Sequence, residues 1–290
     1  MEKVNIFDAI GENKRNSLIL IFLVMAIFLA LIGVLSYVFN FGLWAEVIGF
    51  FVLAVYAVGA YFLGDKVILA ISGAKLLKHE DNPFIYNIVE GLAIAAGIPV
   101  PKVYIIEEAS PNAFATGRDP QHSAIAVTRG LLNTMNKQEL EGVMAHEISH
   151  IANYDIRFSM LAVVLVGAIG LLSQMIVRIG IFGGGRRRDG GLLVIIGILF
   201  AILAPISAML VQLAISRQRE YLADANAAKL TRYPEGLAKA LEKLKANPVP
   251  MQNVNEATAS LYISDPLKKT AGLFATHPPI DERVKRLRSM

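Results

Sequence analysis

The chain has 290 residues, enough for one large or two modest domains. It is 54% hydrophobic and only 18% charged, with a mean hydropathy of +0.50. That balance is too apolar for an ordinary soluble domain and excludes a disordered chain; the lack of cysteine excludes disulfides, a thiolate nucleophile and Cys-ligated metal sites, and leaves the redox compartment open. The formal charge of +4 is too small an excess to argue for nucleic acid.

Ser17 to Phe39 runs 23 residues without a charge, enough at about 1.5 Å per residue to cross about 30 Å of hydrocarbon. It exceeds a signal-peptide core and offers no small-x-small cleavage site, so it reads as a retained anchor. Leu43 to Leu63 follows after a short turn, with Trp44 and Tyr61 near its ends. Phe158 to Val177 and Leu192 to Ile215 are a third and fourth apolar run, the last containing Pro205 and Gln212. The alternative for all four is buried helices of a soluble core.

The runs group as two hairpins, each returning the chain to the side it left. This predicts an N-terminal segment and hairpin over 1–63, a first polar part over 64–157, a second hairpin over 158–215 and a second polar part over 216–290. The polar parts then form one composite domain on one face of the membrane. Lys14, Arg15, Lys66, Lys75 and Lys78 flank the first hairpin and place that face in the cytoplasm. Arg178 and Arg186 to Arg188 conflict with this unless the second hairpin is an exception or is embedded without crossing.

Within the first polar part, Asn82 to Ala96 has helical period, with Ile85, Ile88, Val89 and Leu92 on one face and Pro99 and Pro101 beyond its end. Lys102 to Ile106 and Ser123 to Thr128 read as strands, and SPNAFATG at 110–117 between them as turns. Asn136 with Glu139 forms a capping box that starts another helix.

That helix carries HEISH at 146–150. Positions four apart share a helical face, so His146 and His150 can each point a nitrogen at one metal, while Glu147, about 100° around, reaches a water there. Zn²⁺ in such a site polarises a scissile carbonyl and acidifies water, and a carboxylate that is not a ligand moves the proton. The bland alternative is a pair of surface or core histidines. A third ligand is needed. The pattern with glycine at 153 and histidine at 156 is absent, since Asn153 and Ile156 stand there, which leaves a carboxylate from another helix. Glu220 in SRQREYLADANA is the strongest candidate, because it lies about as far after the GGGRRRDG turn at 183–190 as His150 lies before it. Asp224, one helical step on, is placed to accept the N–H of a ligating histidine. The alternative for both is ordinary helix charge.

The ordered set of an N-terminal hairpin, PNAFATG at 111–117, HEISH, a second hairpin, REYLADANAA at 219–228 and HPP at 277–279 resembles the HtpX family of heat-shock-associated membrane zinc metalloproteases over essentially the full length, and more distantly the prenyl-protein endopeptidases. The resemblance implies one Zn²⁺ per chain on His146, His150 and Glu220, with Glu147 as base. It implies Asn112, Ala113, Phe114 and Ala115 as an edge segment onto which extended substrate adds as a strand, and Arg217 and His277 around the substrate carbonyl. Bland readings are a turn asparagine beside a core Phe114, and His277 as a turn cap. A prokaryotic plasma-membrane location with a cytoplasmic site, stress-linked quality control of misfolded or unassembled membrane proteins, and association with other membrane quality-control proteases are further implications.

The expected architecture is a predominantly α-helical integral membrane protein with two transmembrane or embedded hairpins and a zincin-like α+β catalytic domain. Its partners are polypeptide substrates and the lipid bilayer. His79 and His122 read as local turn partners, Asp155 and Arg157 as residues that orient the HEISH helix, and Leu237, Ala240, Leu241 and Leu244 as a core stripe. Processing of prenylated peptides, proteolysis inside the membrane and a non-enzymatic scaffold are the competing functions. The charges flanking HEISH argue against an intramembrane site, and a scaffold would not need Glu147.

Overall fold

The computed structural model describes residues 6–39, 42–182, 217–247, 249–252, 254, 258–266 and 277–290. The fourth apolar run and the GGGRRRDG turn lie outside the described residues. Helices α1 (Ile6–Phe39) and α2 (Leu43–Ile71) contain stretches long and apolar enough to cross a membrane, Ile10–Ala30 and Glu46–Ile71. α2 turns Trp44, Phe51, Val55 and Val58 outward, as a lipid-facing helix would. It runs beyond the expected end at Leu63. Asp65 and Lys66 do not stop it, because Ile68 and Leu69 beyond them are buried under the polar domain. The third apolar run is helix α6 (Asp155–Phe182), whose first turns pack on α1 and α2.

The sheet has strands β1 (Lys75–Leu76), β2 (Lys102–Ile106), β3 (Ala113–Asp119) and β4 (His122–Thr128) in the order β1-β2-β4-β3, with β2 and β4 parallel and the other pairs antiparallel. Most of the stretch expected to form turns at 110–117 is instead edge strand β3. Its small residues resemble turn composition, but they alternate between two cores: Ala113 and Ala115 face one, Phe114 the other, where its ring meets Tyr262 edge-on at 5.0 Å. β4 alternates the same way, with Ile125 and Val127 on one side and Ala124 and Ala126 on the other. The sheet therefore divides α1, α2 and α6 from the helical layer of the polar domain.

That layer begins with α3 (Pro83–Ala96), started by the Asn82 side chain accepting from Ile85 N–H and ended by Gly97 at φ 69°. A short α4 (Arg129–Thr134) precedes α5 (Lys137–Ala152), which opens on the expected capping box. Helices α7 (Arg217–Thr231), α8 (Pro234–Ala246) and α9 (Ile280–Leu287) complete it. Leu237, Ala240, Leu241 and Leu244 are core, as their period requires. α5 and α8 meet backbone to backbone: a Cβ on Gly142 would lie 2.6 Å from Leu237 N, and one on Gly236 2.5 Å from Gln138 O.

Candidate metal centre

α5 lies in the core, with Leu140, Val143, Met144, Ile148 and Ile151 buried around it. His146, Glu147 and His150 stand among these apolar side chains, and His146 and Glu147 are 1% and 2% exposed. α7 lies against α5, its buried Ala223 and Ala227 keeping that face narrow. One helical step separates Glu220 from Asp224, so both face α5.

His146, His150 and Glu220 form a triangle: the two Nε2 atoms are 3.1 Å apart, His150 Nε2 is 3.4 Å from Glu220 Oε1, and His146 Nε2 is 3.6 Å from Glu220 Oε2. A tetrahedral ion with bonds of about 2.0–2.1 Å sets its ligand atoms roughly 3.3–3.4 Å apart, so the triangle fits one face of such a site. Among the described residues Glu220 Oε2 is buried without a hydrogen bond, although His277 Nδ1 and Arg283 Nη1 each lie 3.3 Å away. Two imidazoles and a carboxylate that leave that oxygen open are the donor set a divalent metal takes.

Each histidine is backed by a carboxylate at Nδ1. Asp224 Oδ1 is 3.0 Å from His146 Nδ1, and Asp155 Oδ2 is 2.8 Å from His150 Nδ1. With Nδ1–H donated backwards, each imidazole in its neutral form turns the Nε2 lone pair into the triangle. Arg283, fully buried on α9, grips Asp224 with Nε at 2.8 Å and Nη2 at 2.7 Å. Exposed pairs of Arg288 with Glu235 and Glu242 hold α9 on α8.

Burial alone would push Glu220 up, but His277, His150 and Arg283 outweigh it and hold the carboxyl well below its usual range. Asp224 is likewise drawn against its burial to about 2, chiefly by Arg283 and His146. Burial pushes His146 down, towards the neutral form a ligand needs. In His150, Asp155 and Glu220 overcome burial and raise the imidazole well above its ordinary value. Burial dominates at Glu147 and raises it to about 7, with the Glu220 charge adding and His150, Arg283 and the Ala115 backbone N–H opposing.

The structure thus gathers His146, Glu147, His150, Glu220, Asp224 and His277. Arg217 is not with them: it is exposed at the start of α7, its charge felt at Tyr221 and Glu282. Asn112, 1% exposed, has its amide engaged with Ser264, donating to Ser264 O at 2.8 Å and accepting from Ser264 N at 3.3 Å, and Ile263 N–H donates to Ala113 O beside it. Ala113, Phe114 and Ala115 lie on edge strand β3, with the Ala115 N–H towards Glu147. His79 meets Asn87 and His122 meets Asp119, both at the surface. Sequence reasoning missed Arg283 and Asn13 of α1; the only available signal for Arg283 was an arginine six residues after His277 in an otherwise amphipathic helix.

A family model described as Peptidase family M48 matches residues 79–290, which include every residue of this cluster except Asn13. The chain belongs to peptidase family M48. Its relatives include the protease HtpX homolog of Dictyoglomus turgidum, 48% identical over 100% of this chain and 96% of that one, and the protease HtpX homolog of Streptococcus gordonii, 46% identical over 98% and 100%. The crystal structure of S. mikatae Ste24p matches 91% of this chain and 62% of its own, at 22% identity and a TM-score of 0.48. As an M48 peptidase of the HtpX type, the chain is a metallopeptidase, and among the described residues His146, His150 and Glu220 form a group that could hold the metal.

Proposed function

We propose that this M48 peptidase is a zinc-dependent endopeptidase of the prokaryotic plasma membrane, with its site on the cytoplasmic face and misfolded or unassembled membrane proteins as substrates. The observation that carries the reading is the triangle of His146, His150 and Glu220 with Glu147 beside it, under the open edge of β3. Zinc on those three residues would supply a Lewis acid that polarises the scissile carbonyl and acidifies water.

The chain's own groups do the rest. Glu147 takes a proton from the attacking water onto its carboxylate and passes it to the leaving amine, a role suited to a group poised near neutrality. His277 Nε2 is buried without a hydrogen-bond partner among the described residues and is free to donate to the tetrahedral oxyanion. Asp224 and Asp155 hold the histidines in register. The substrate backbone adds along β3 near Ala115, while Ile263 and Ser264 already occupy the edge at Ala113 and Asn112. Main-chain pairing reads no particular side chain, which supports broad specificity. The two spanning-length helices and the lysines flanking them support the location and orientation.

The deciding experiment compares wild type with Glu147→Gln, both purified in detergent without chelator and supplied with zinc. Glutamine keeps the size of the side chain and removes the proton acceptor, so peptide hydrolysis should fall by about 10²-fold or more with zinc content unchanged. Equal cleavage by the two proteins would refute the role of Glu147, and strict dependence on a C-terminal prenyl cysteine would refute broad specificity.

A further inference from the structure

His146 is supported from one end of the chain, through Asp224 and Arg283. His150 has a matching support from the other end. Asn13, in the second turn of α1, is 5% exposed, and its Nδ2 lies 2.6 Å from Asp155 Oδ1 and 3.0 Å from Asn153 O. Both partners are pure acceptors, so the amide must present both of its hydrogens to them, and alanine, serine or aspartate at position 13 cannot make the same pair. The carboxylate so held is the one whose other oxygen meets His150 Nδ1 at 2.8 Å. The contacts form an unbroken line from the N-terminal helix through Asp155 to a nitrogen of the metal centre.

The surroundings show that α1 is seated at this corner. Asp155 begins α6 directly after the turn that ends α5, and Tyr154 in that turn takes φ 62°, a conformation unfavourable for a side chain. The Lys14 ammonium stands 4.2 Å from the centre of the Tyr154 ring, and Arg157 packs on the same ring at 5.0 Å. Ser17 Oγ donates to Asn13 O, and Leu20 is buried against α6 and α2. A buried carboxylate with one oxygen on a histidine needs a donor on the other. Arg219 is 4.0 Å from Oδ1, so the short contact belongs to Asn13. Asn13 fixes the rotamer of Asp155 as a neutral donor, beside the looser ion pair with Arg219.

We infer that Asn13 is a positioning residue of the metal centre, acting through Asp155 on His150, and that the first membrane helix is part of the site as well as an anchor. The inference rests on the metal-site reading above. Partners of metal-ligating histidines are typically worth 10–100-fold in metal affinity, and a residue one bond further out belongs at the lower end of that range.

The test measures Zn²⁺ affinity by competition with a chromophoric chelator, using the full chain in detergent and a Glu147→Gln background that prevents self-cleavage. Asn13→Ala should weaken zinc binding about tenfold, and the loss should vanish when Asp155→Ala is already present, because the two act in series. Asn13→Asp preserves volume and sets a carboxylate against Asp155, so it should weaken zinc at least as much; it answers the question should the alanine variant fail to fold. Leu20→Ala loosens the packing of the same helix without touching Asp155 and should leave affinity within twofold. Unchanged affinity in Asn13→Ala and Asn13→Asp overturns the inference. So does an equal loss in the Asp155→Ala background, or an equal loss in Leu20→Ala. A parent protein that binds no stoichiometric zinc overturns the metal-site reading itself, which separates the two failures.

Discussion

His146 and His150 sit one helical step apart with nearly the same donor atoms forward and a carboxylate behind, yet their protonation differs. Burial keeps His146 neutral, whereas Asp155 and Glu220 hold a proton on His150 well above the ordinary imidazole range. Metal binding must therefore displace one proton. Apparent zinc affinity should rise about tenfold per pH unit from about pH 6 until the raised value of His150 is passed, then level off. In the metal-free protein the sign is opposite: the charged His150 contributes stability below its unfolded value of about 6.5, and that contribution is lost as pH rises through the folded value. Chelator competition across the range reads the first effect, and a flat profile would show that His150 carries no proton. Glu220→Ala removes the third donor and should reduce zinc from about one per chain to a small fraction with the helical circular dichroism retained; undiminished zinc would rule out that ligand.

At the scale of elements, the crossing of α5 and α8 leaves no room for a methyl group. Gly142→Ala would push a Cβ to 2.6 Å from the backbone of Leu237, so one helix must shift; a loss of about 1–3 kcal/mol is expected, read as a lower Tm. An unchanged Tm would show that the crossing yields to a methyl group without cost. The HEISH helix was legible because everything that specifies it is local: an asparagine cap, a glutamate three residues on, apolar spacing and two histidines one step apart. α3 was legible for the same reason. β3 was not, since Ala113, Phe114, Ala115 and Thr116 show strand character only once there are two cores for them to face. The end of α2 was missed because hydropathy falls at Asp65 and Lys66, where the helix passes from its exposed apolar stretch into the underside of the sheet.

Across the whole molecule, the centre joins segments that are distant along the chain. His150 on α5 and Glu220 on α7 meet at 3.4 Å although 70 positions separate them, so zinc would tie both ends of the intervening stretch together. Chelation should lower the Tm by several degrees and added zinc restore it, by mass action on the folded form alone; a Tm indifferent to both would mean that the link contributes nothing. Glu220 could be placed from the symmetry of the stretch around 183–190, but Asn13 and Arg283 could not, because neither sits in a pattern of its own and each gains its role only by folding against a carboxylate elsewhere. Arg283 is also the last of these residues to leave the ribosome. Until it emerges, Asp224 has no cation to settle it beneath His146. A nascent copy therefore presents His146 before the carboxylate and the guanidinium that settle it have been made.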